Sequence, residues 1–204
     1  ITWPHHTQNV GNFGDTISIH MNRAVSNHTH TVRYAFGSRT GTIATNVETG
    51  LQWTIPSDLM DLIPNTTSGS GTIYVDTYNG NNFIGTKWCG FTAKVPDSVK
   101  PSCTFTLDDT TGIDNTYGSP VQHLSKIRCK VTPTLAYSSP IASYSVTIDG
   151  ITQPGADVTS EYLTKSGSSD VKVVVTDRRG SSGTASYTMN VKPYSLPNVS
   201  YLAV

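Results

Sequence analysis

This chain carries little charge. Asp, Glu, Lys and Arg make up 14% of its 204 residues, 14 acidic against 14 basic, so the formal net charge is zero. A phosphate backbone is bound through a surplus of basic groups, and without one no nucleic-acid partner is expected. Glutamate is rarer still, with Glu48 and Glu161 the sole examples, so a glycosidase would have to recruit aspartates from separate loops. No apolar run approaches the roughly 20 residues of a spanning helix, and no membrane insertion is expected. The three cysteines, Cys89, Cys103 and Cys129, form no CxxC pair and no even framework of disulfides. They read as buried thiols in a protein made in a reducing cytoplasm, with a Cys103–Cys129 bridge as the alternative.

Recognisable chemistry is missing too. No GxSxG, P-loop, dinucleotide fingerprint or HExxH occurs. His5-His6 and the His28-x-His30 pair suggest zinc only until a third ligand is sought, and none is evident. The Asp108–Asn115 stretch resembles a calcium loop, but lacks the alternating oxygen spacing and the closing Glu of an EF-hand. We expect no metal, no cofactor and no enzyme activity.

What fills the chain instead is Ser, Thr and Asn, roughly a third of all residues and well above ordinary usage. Hydroxyls and amides keep such a surface soluble. Against that background one pattern is written twice. Ile73–Gly80 leads into Lys87–Val95 and stops at Pro96; Val171–Gly180 leads into Thr184–Val191 and stops at Pro193. Each is a strand, a Gly-bearing loop, a second strand and a proline. A repeat of about 100 residues built from alternating strands has the size of one immunoglobulin-like sandwich. The fold expected is all-β: two tandem immunoglobulin/fibronectin-III-like β-sandwiches, residues 1–98 and 99–193, with 194–204 starting a further module or linker.

Period-two alternation supports the strands. Ile17, Ile19 and Met21 alternate with Ser18, His20 and Asn22, and Val32, Tyr34 and Phe36 with Thr31, Arg33 and Ala35. Turn residues lie at 12–15 and 37–42. One short helical turn is expected over 57–63, capped by Ser57, with Leu59 and Leu62 or Ile63 inward. In the second module strands are expected over 103–107, 123–133, 143–149, 158–163, 171–177 and 185–191. The connector Val95–Pro101 carries two prolines, each fixing its own φ and restraining its predecessor, and Lys192–Pro197 repeats the device. Such joints imply a semi-rigid rod. The opening on Ile1 and the ending within Val199–Val204 suggest a piece of a longer protein.

Matching apolar faces sets the hairpin registers. Val171, Val173 and Val175 are expected on one core-facing apolar face with Ala185, Tyr187 and Met189, Val175 opposite Ala185, with a loop over 178–182. Val75 is expected opposite Cys89 and Ile73 opposite Phe91, with a long Asn-rich loop over 78–86. That register turns Tyr74, Asp76, Tyr78 and Trp88 outward on one sheet. Outward aromatics stack on sugar rings or pack on a partner, so Tyr74, Tyr78, Asn79, Asn81, Asn82 and Trp88 form the candidate ligand or partner surface.

Particular motifs add a resemblance. Tyr34-Ala35-Phe36-Gly37, Gly41-Thr42-Ile43-Ala44, Trp53-Thr54-Ile55-Pro56, the stretch Ile63–Thr72, Thr77-Tyr78-Asn79-Gly80 and Ile84-Gly85 resemble the repeat of minor structural proteins of tailed phages that infect Gram-positive bacteria. Val175–Gly180 and Tyr194-Ser195-Leu196-Pro197 resemble Ig-like repeats of phage tail-tip and fibre proteins. The resemblance implies a structural tail module in the virion, made in the bacterial cytoplasm and spacing or presenting host-recognition elements. Its implied partners are other virion tail proteins, host cell-surface carbohydrate and, in the full-length protein, two further copies in a homotrimer. A carbohydrate-binding module for host cell-wall glycans and a bacterial surface adhesin fragment are the competing expectations.

Overall fold

A computed structural model describes residues 4–6 and 10–198, so the expected ending within 199–204 lies outside the described residues. The chain divides into two compact units, Ile1–Val99 with Tyr137–Ser139, and Lys100–Ala136 with Pro140–Val204. Both are built almost wholly of strands.

Unit one contains β1 (Pro4–His6), β2 (Val10–Asn12), β3 (Thr16–Met21), β4 (His28–Phe36), β5 (Arg39–Val47), β6 (Gly50–Thr54), β7 (Ser68–Asn79) and β8 (Asn82–Lys94). They form a three-stranded sheet of order β1-β3-β6 and a five-stranded sheet of order β2-β8-β7-β4-β5. The alternation puts Ile17, Ile19 and Met21 of β3 on one layer of the core, with Trp53 of β6. Val32, Phe36, Ile73, Val75, Phe91 and Ala93 of the larger sheet supply the other. Phe91 packs edge-on against Trp53 at 5.3 Å, and Gly71 opposite makes room for it: a Cβ there would lie 2.5 Å from the ring. His28 and His30 face this interior too, and His30 Nδ1 lies 2.9 Å from the Val47 carbonyl. The HxH pair is therefore core. Val95 and Val99, in the stretch expected as a connector, pack on this core, and Val95 N–H donates to Thr67 O.

Unit two contains β9 (Ser102–Asp109), helix α1 (Ile113–Tyr117), β10 (Ile127–Thr134), β11 (Ile141–Ile148), β12 (Ile151–Pro154), β13 (Asp157–Thr159), β14 (Gly167–Asp177) and β15 (Ser182–Val191). The sheets run β13-β10-β9 and β12-β11-β14-β15. Ile127, Cys129 and Val131 of the first face Val146, Ile148, Val171, Val173 and Val175 of the second. β9 and β15 are edge strands that meet where Gly183 lies against Pro101; a Cβ there would fall 2.0 Å from the Pro101 carbonyl oxygen.

Several expectations are corrected. Both hairpins keep the expected faces but slide by two residues: Val173, not Val175, opposes Ala185, and Ile73, not Val75, opposes Cys89. Apolar matching fixes a face but tolerates any even shift; the turns select the shift. Asp177 Oδ1 accepts N–H bonds from Arg179 (3.0 Å) and Ser181 (2.9 Å), so the turn closes over 178–181. In unit one the strands run on to Asn79 and Asn82, leaving a two-residue turn at Gly80-Asn81 where a long loop was expected, and a one-residue bulge on β8 beyond it completes the shift to the core register. Tyr187, expected in the core, is 58% exposed because it sits beside the open sandwich edge. The helical turn is a 3-10 segment, Ser57–Leu62, with Pro56 rather than Ser57 at the cap position and no side-chain cap; Leu59 and Met60 are buried, and Leu62 and Ile63 pack half-buried against the core. The turn expected over 37–42 shrinks to Gly37-Ser38, since β5 resumes at Arg39. Strands expected over 123–133 and 158–163 shorten, because the buried Ser125 and Ser160 hydroxyls accept from the backbone N–H groups of Val121 and Ile127 in place of a ladder. Strand β12 and helix α1 were not expected; Asp149 and Gly150, both at positive φ, turn the chain into β12.

All three cysteines are free thiols; Cys129 is buried, while Cys89 and Cys103 are half-buried. Burial, with the Asp157 carboxylate and Cys103 adding to it, pushes the Cys129 thiol up to about 11. Iodoacetamide at pH 8 should therefore leave native Cys129 unalkylated and label it once urea unfolds the chain; mass spectrometry of the digested protein reads this directly. Gly183→Ala should lower stability by about 1–3 kcal/mol, because its methyl meets backbone rather than a movable side chain; a denaturant midpoint unchanged from wild type would contradict the contact.

Candidate functional site

The candidate site is the solvent face of the five-stranded sheet in unit one. Because Ile73, Val75 and Thr77 face inward, Tyr74, Asp76 and Tyr78 face outward, and a one-residue β-bulge on β8 brings Phe83 opposite Tyr78. The neighbouring strands supply opposite positions: Arg33 beside Tyr74, Thr31 beside Asp76 and Thr29 beside Tyr78 on β4, with Trp88, Thr86 and Phe83 on β8. The face therefore reads as three rungs. An aromatic rung, Tyr74 with Trp88, is followed by a polar rung, Thr31, Asp76 and Thr86. A second aromatic rung, Tyr78 with Phe83, closes it.

The polar rung is held by charge. Arg33 Nε donates to Asp76 Oδ2 at 2.6 Å and its second nitrogen to Oδ1 at 3.0 Å, a bidentate fork. The Thr86 hydroxyl donates to the same Oδ1 at 2.6 Å. The guanidinium also lies 5.4 Å from the centre of the Tyr74 ring. Asp76 is thus outward in direction yet buried, at 7% exposure, beneath its neighbours. Arg33 holds the Asp76 carboxyl below its ordinary range; desolvation opposes this, and Thr86 adds to it. The pair neutralises itself.

The aromatic rungs are open. Trp88 is 61% exposed and Phe83 59%. Tyr78 and Phe83 meet edge-on at 5.6 Å. Beside Tyr78 lies a shallow depression of about 230 Å³ lined by Thr29, Thr31, Asn46, Gly80 and Asn81. Of the six residues singled out by sequence, the structure places Tyr74, Tyr78 and Trp88 on this face and Asn81 at the depression's rim. Asn79 and Asn82 form the last rung of the hairpin, and Asn79 Oδ1 accepts from Asn27, so its carbonyl is engaged. Sequence reasoning did not select Arg33, Thr29, Thr31, Asn46 or Phe83. Arg33 alternates correctly with Val32 and Tyr34, but its pairing with residues more than forty positions away leaves no local signal.

The described residues hold no group of three or more His, Cys, Asp or Glu side chains able to bind a metal ion. In the Asp108–Asn115 stretch, Asp109 accepts from Thr111 N–H and hydroxyl and from Asp114 N–H, so this carboxylate ties the turn together. No described helix is long and apolar enough to cross a membrane.

The fold is all-β, with Tyr74, Trp88, Tyr78 and Phe83 on the outer face of one sheet. The chain belongs to a siphovirus protein family described as "Siphovirus protein of unknown function (DUF859)", which matches residues 5–204, and its origin is therefore a siphophage. No curated protein matches it. Among solved structures it is similar to fibronectin(III)-like modules of Clostridium thermocellum CbhA at 14% identity, covering 98% of this chain and 100% of that one with a TM-score of 0.39. It is similar to the PKD1 domain of the Vibrio cholerae metalloprotease PrtV at 27% identity over 46% of this chain and 99% of that one, TM-score 0.35. A tetra-tandem repeat from the extending region of a large adhesion protein shares 12% identity over 93% and 48% of the two chains, TM-score 0.39. Likeness at this level carries no functional information.

Breaking the polar rung should be measurable. Asp76→Ala at pH 7 should cost about 1–3 kcal/mol in urea unfolding, since it strands the Arg33 fork and the Thr86 hydroxyl. A carboxylate with a depressed folded pKa contributes its full stability above the unfolded value and loses it as pH falls through the folded one. Stability of the wild type should therefore decline below about pH 4 more steeply than that of Asp76→Asn; parallel acid limbs would show that the pair contributes nothing.

Proposed function

We propose that this chain is a non-enzymatic structural module of a siphophage tail, in the tail tip, baseplate or fibre, from a phage of Gram-positive bacteria. It spaces or presents host-recognition elements through two tandem immunoglobulin/fibronectin-III-like sandwiches joined by a short proline-rich connector. Its neighbours are other virion tail proteins, and in the full-length protein the chain assembles as a homotrimer. The observation that carries this reading is membership of a siphovirus family along residues 5–204 in a chain built almost wholly from paired strands. The low charge and the Ser/Thr/Asn-rich composition suit a virion surface exposed to the medium.

A second reading is favoured by one specific observation, the open pairing of Tyr74 with Trp88 on a face whose charges cancel. On that reading unit one is itself a carbohydrate-binding module for host cell-wall glycans. Exposed aromatic faces beside hydroxyl and amide groups suit a sugar ring, which presents an apolar C–H face and a polar rim.

Antibody raised against this chain should decorate the tail of intact virions in immunogold electron microscopy; gold confined to heads, or none on particles, would sink the structural reading. For the second reading, pull-down with purified host cell walls should retain the wild type and lose at least about tenfold with Trp88→Ala, on the order of one stacking contact.

A further inference from the structure

We propose that the outer face of unit one is a two-subsite platform for an extended, uncharged oligosaccharide, running along the β7–β8 hairpin from the Tyr74–Trp88 rung to the Tyr78–Phe83 rung. The inference rests on the carbohydrate reading of this unit and goes beyond it in naming a second subsite, the run of the chain and its charge.

Spacing gives the first argument. Tyr74 and Tyr78 are four residues apart on one strand, so the two rungs are separated by about 13 Å at the usual strand rise. That distance exceeds one sugar ring, and a ligand that touches both rungs is a chain of several.

The second argument concerns what lies between and beside the rungs. The polar rung interrupts the aromatic surface, so the face lacks the contiguous apolar patch on which a protein partner would close. Hydroxyls and amides are instead available at the tip. Thr29, Thr31, Asn46 and Asn81 surround the depression against Tyr78, next to the Gly80 backbone. A ring seated there meets an aromatic side chain on one flank and neutral donors and acceptors around its rim.

Charge gives the third. Arg33 and Asp76 satisfy one another at the middle of the face, and the rest of the two aromatic rungs is neutral. An anionic polymer would gain little there, and competing for Arg33 would strand a buried carboxylate. The ligand class that fits is a neutral glycan.

The test is calorimetric titration of the whole chain with neutral gluco-, galacto-, manno- and rhamno-oligosaccharides of two to eight sugars, with a polyanionic teichoic-acid preparation alongside. Affinity for at least one neutral series should rise at least about tenfold between two and five sugars, then level off. Trp88→Ala should weaken every length. Phe83→Ala and Asn46→Ala should weaken only the longer members, by about fivefold or more, and bring them down to the disaccharide. All three residues are exposed, and a thermal melt of each variant, including Asn46→Ala at its left-handed φ of 56°, checks that it is folded before titration. If Trp88→Ala abolishes binding while length and the tip variants have no effect, the second subsite is wrong and the single-site reading stands. Salt-sensitive binding of teichoic acid without neutral binding overturns the assignment of an uncharged ligand. No binding by any sugar at millimolar concentration overturns both the platform and the carbohydrate reading.

Discussion

Everything on the outer face of unit one follows from the register of the β7–β8 hairpin. Ile73 opposes Cys89 and Gly71 opposes Phe91, so Ile73, Val75, Phe91 and Ala93 reach the core with 3% exposure or less. A strand has only two faces. Once those four are committed inward, Tyr74 and Trp88 are obliged to face outward, and Trp88 stands in solvent however unfavourable an open indole is there. Shifting the register by one residue would bury Trp88 and expose the core, so the apolar layer and the candidate site are one constraint seen from two sides. The Arg33–Asp76 fork reinforces it by tying β4 to β7 in the same register across the outer face.

How much of this could be read from the chain depended on whether the deciding contact was local. Alternation within Thr16–Met21 and His28–Phe36 was legible because each strand carries its own pattern. So was the outward direction of Tyr74 and Trp88, which follows from the core positions beside them. The even slip of both hairpins was not legible, since an apolar strand matches its partner equally well two residues along. The turns resolved it, through Asp177 in one hairpin and through Gly80-Asn81 with the β8 bulge in the other. Tyr187 misled for a different reason. Its strand position points toward the core side, but β15 and β9 are both edges there, and no third strand covers it. Arg33 was hidden because its partner lies across a non-local pairing.

The imbalance among acidic residues has a structural cause. Aspartate outnumbers glutamate twelve to two, and its short carboxylate closes turns. Asp15 accepts from Asn12 N–H, Asp109 from Thr111 and Asp114, and Asp177 from Arg179 and Ser181. Each bond satisfies a backbone donor that a sheet ladder leaves free where the chain reverses. Glutamate, one methylene longer, suits such local turns less well. In a protein made of many strands and short reversals, aspartates accumulate at the ends of strands without any catalytic demand for them.

The bulge between Thr77 and Tyr78 separates the two aromatic rungs from a simple consequence of alternation. Without it the ladder beyond Thr77–Gly85 would continue as Tyr78 with Ile84 and Asn79 with Phe83. One extra residue on β8 moves Phe83 opposite Tyr78 and leaves Ile84 out of the pairing. The two-residue turn at Gly80-Asn81 pairs Asn79 with Asn82, one residue out of step with the Ile73–Cys89 pairing that buries the core. The extra residue on β8 reconciles the two, so that a tight turn closes the hairpin without flipping Trp88 inward. The same step brings Phe83 opposite Tyr78, a second aromatic pair on the face of the first, beside the threonine and asparagine side chains that line the depression.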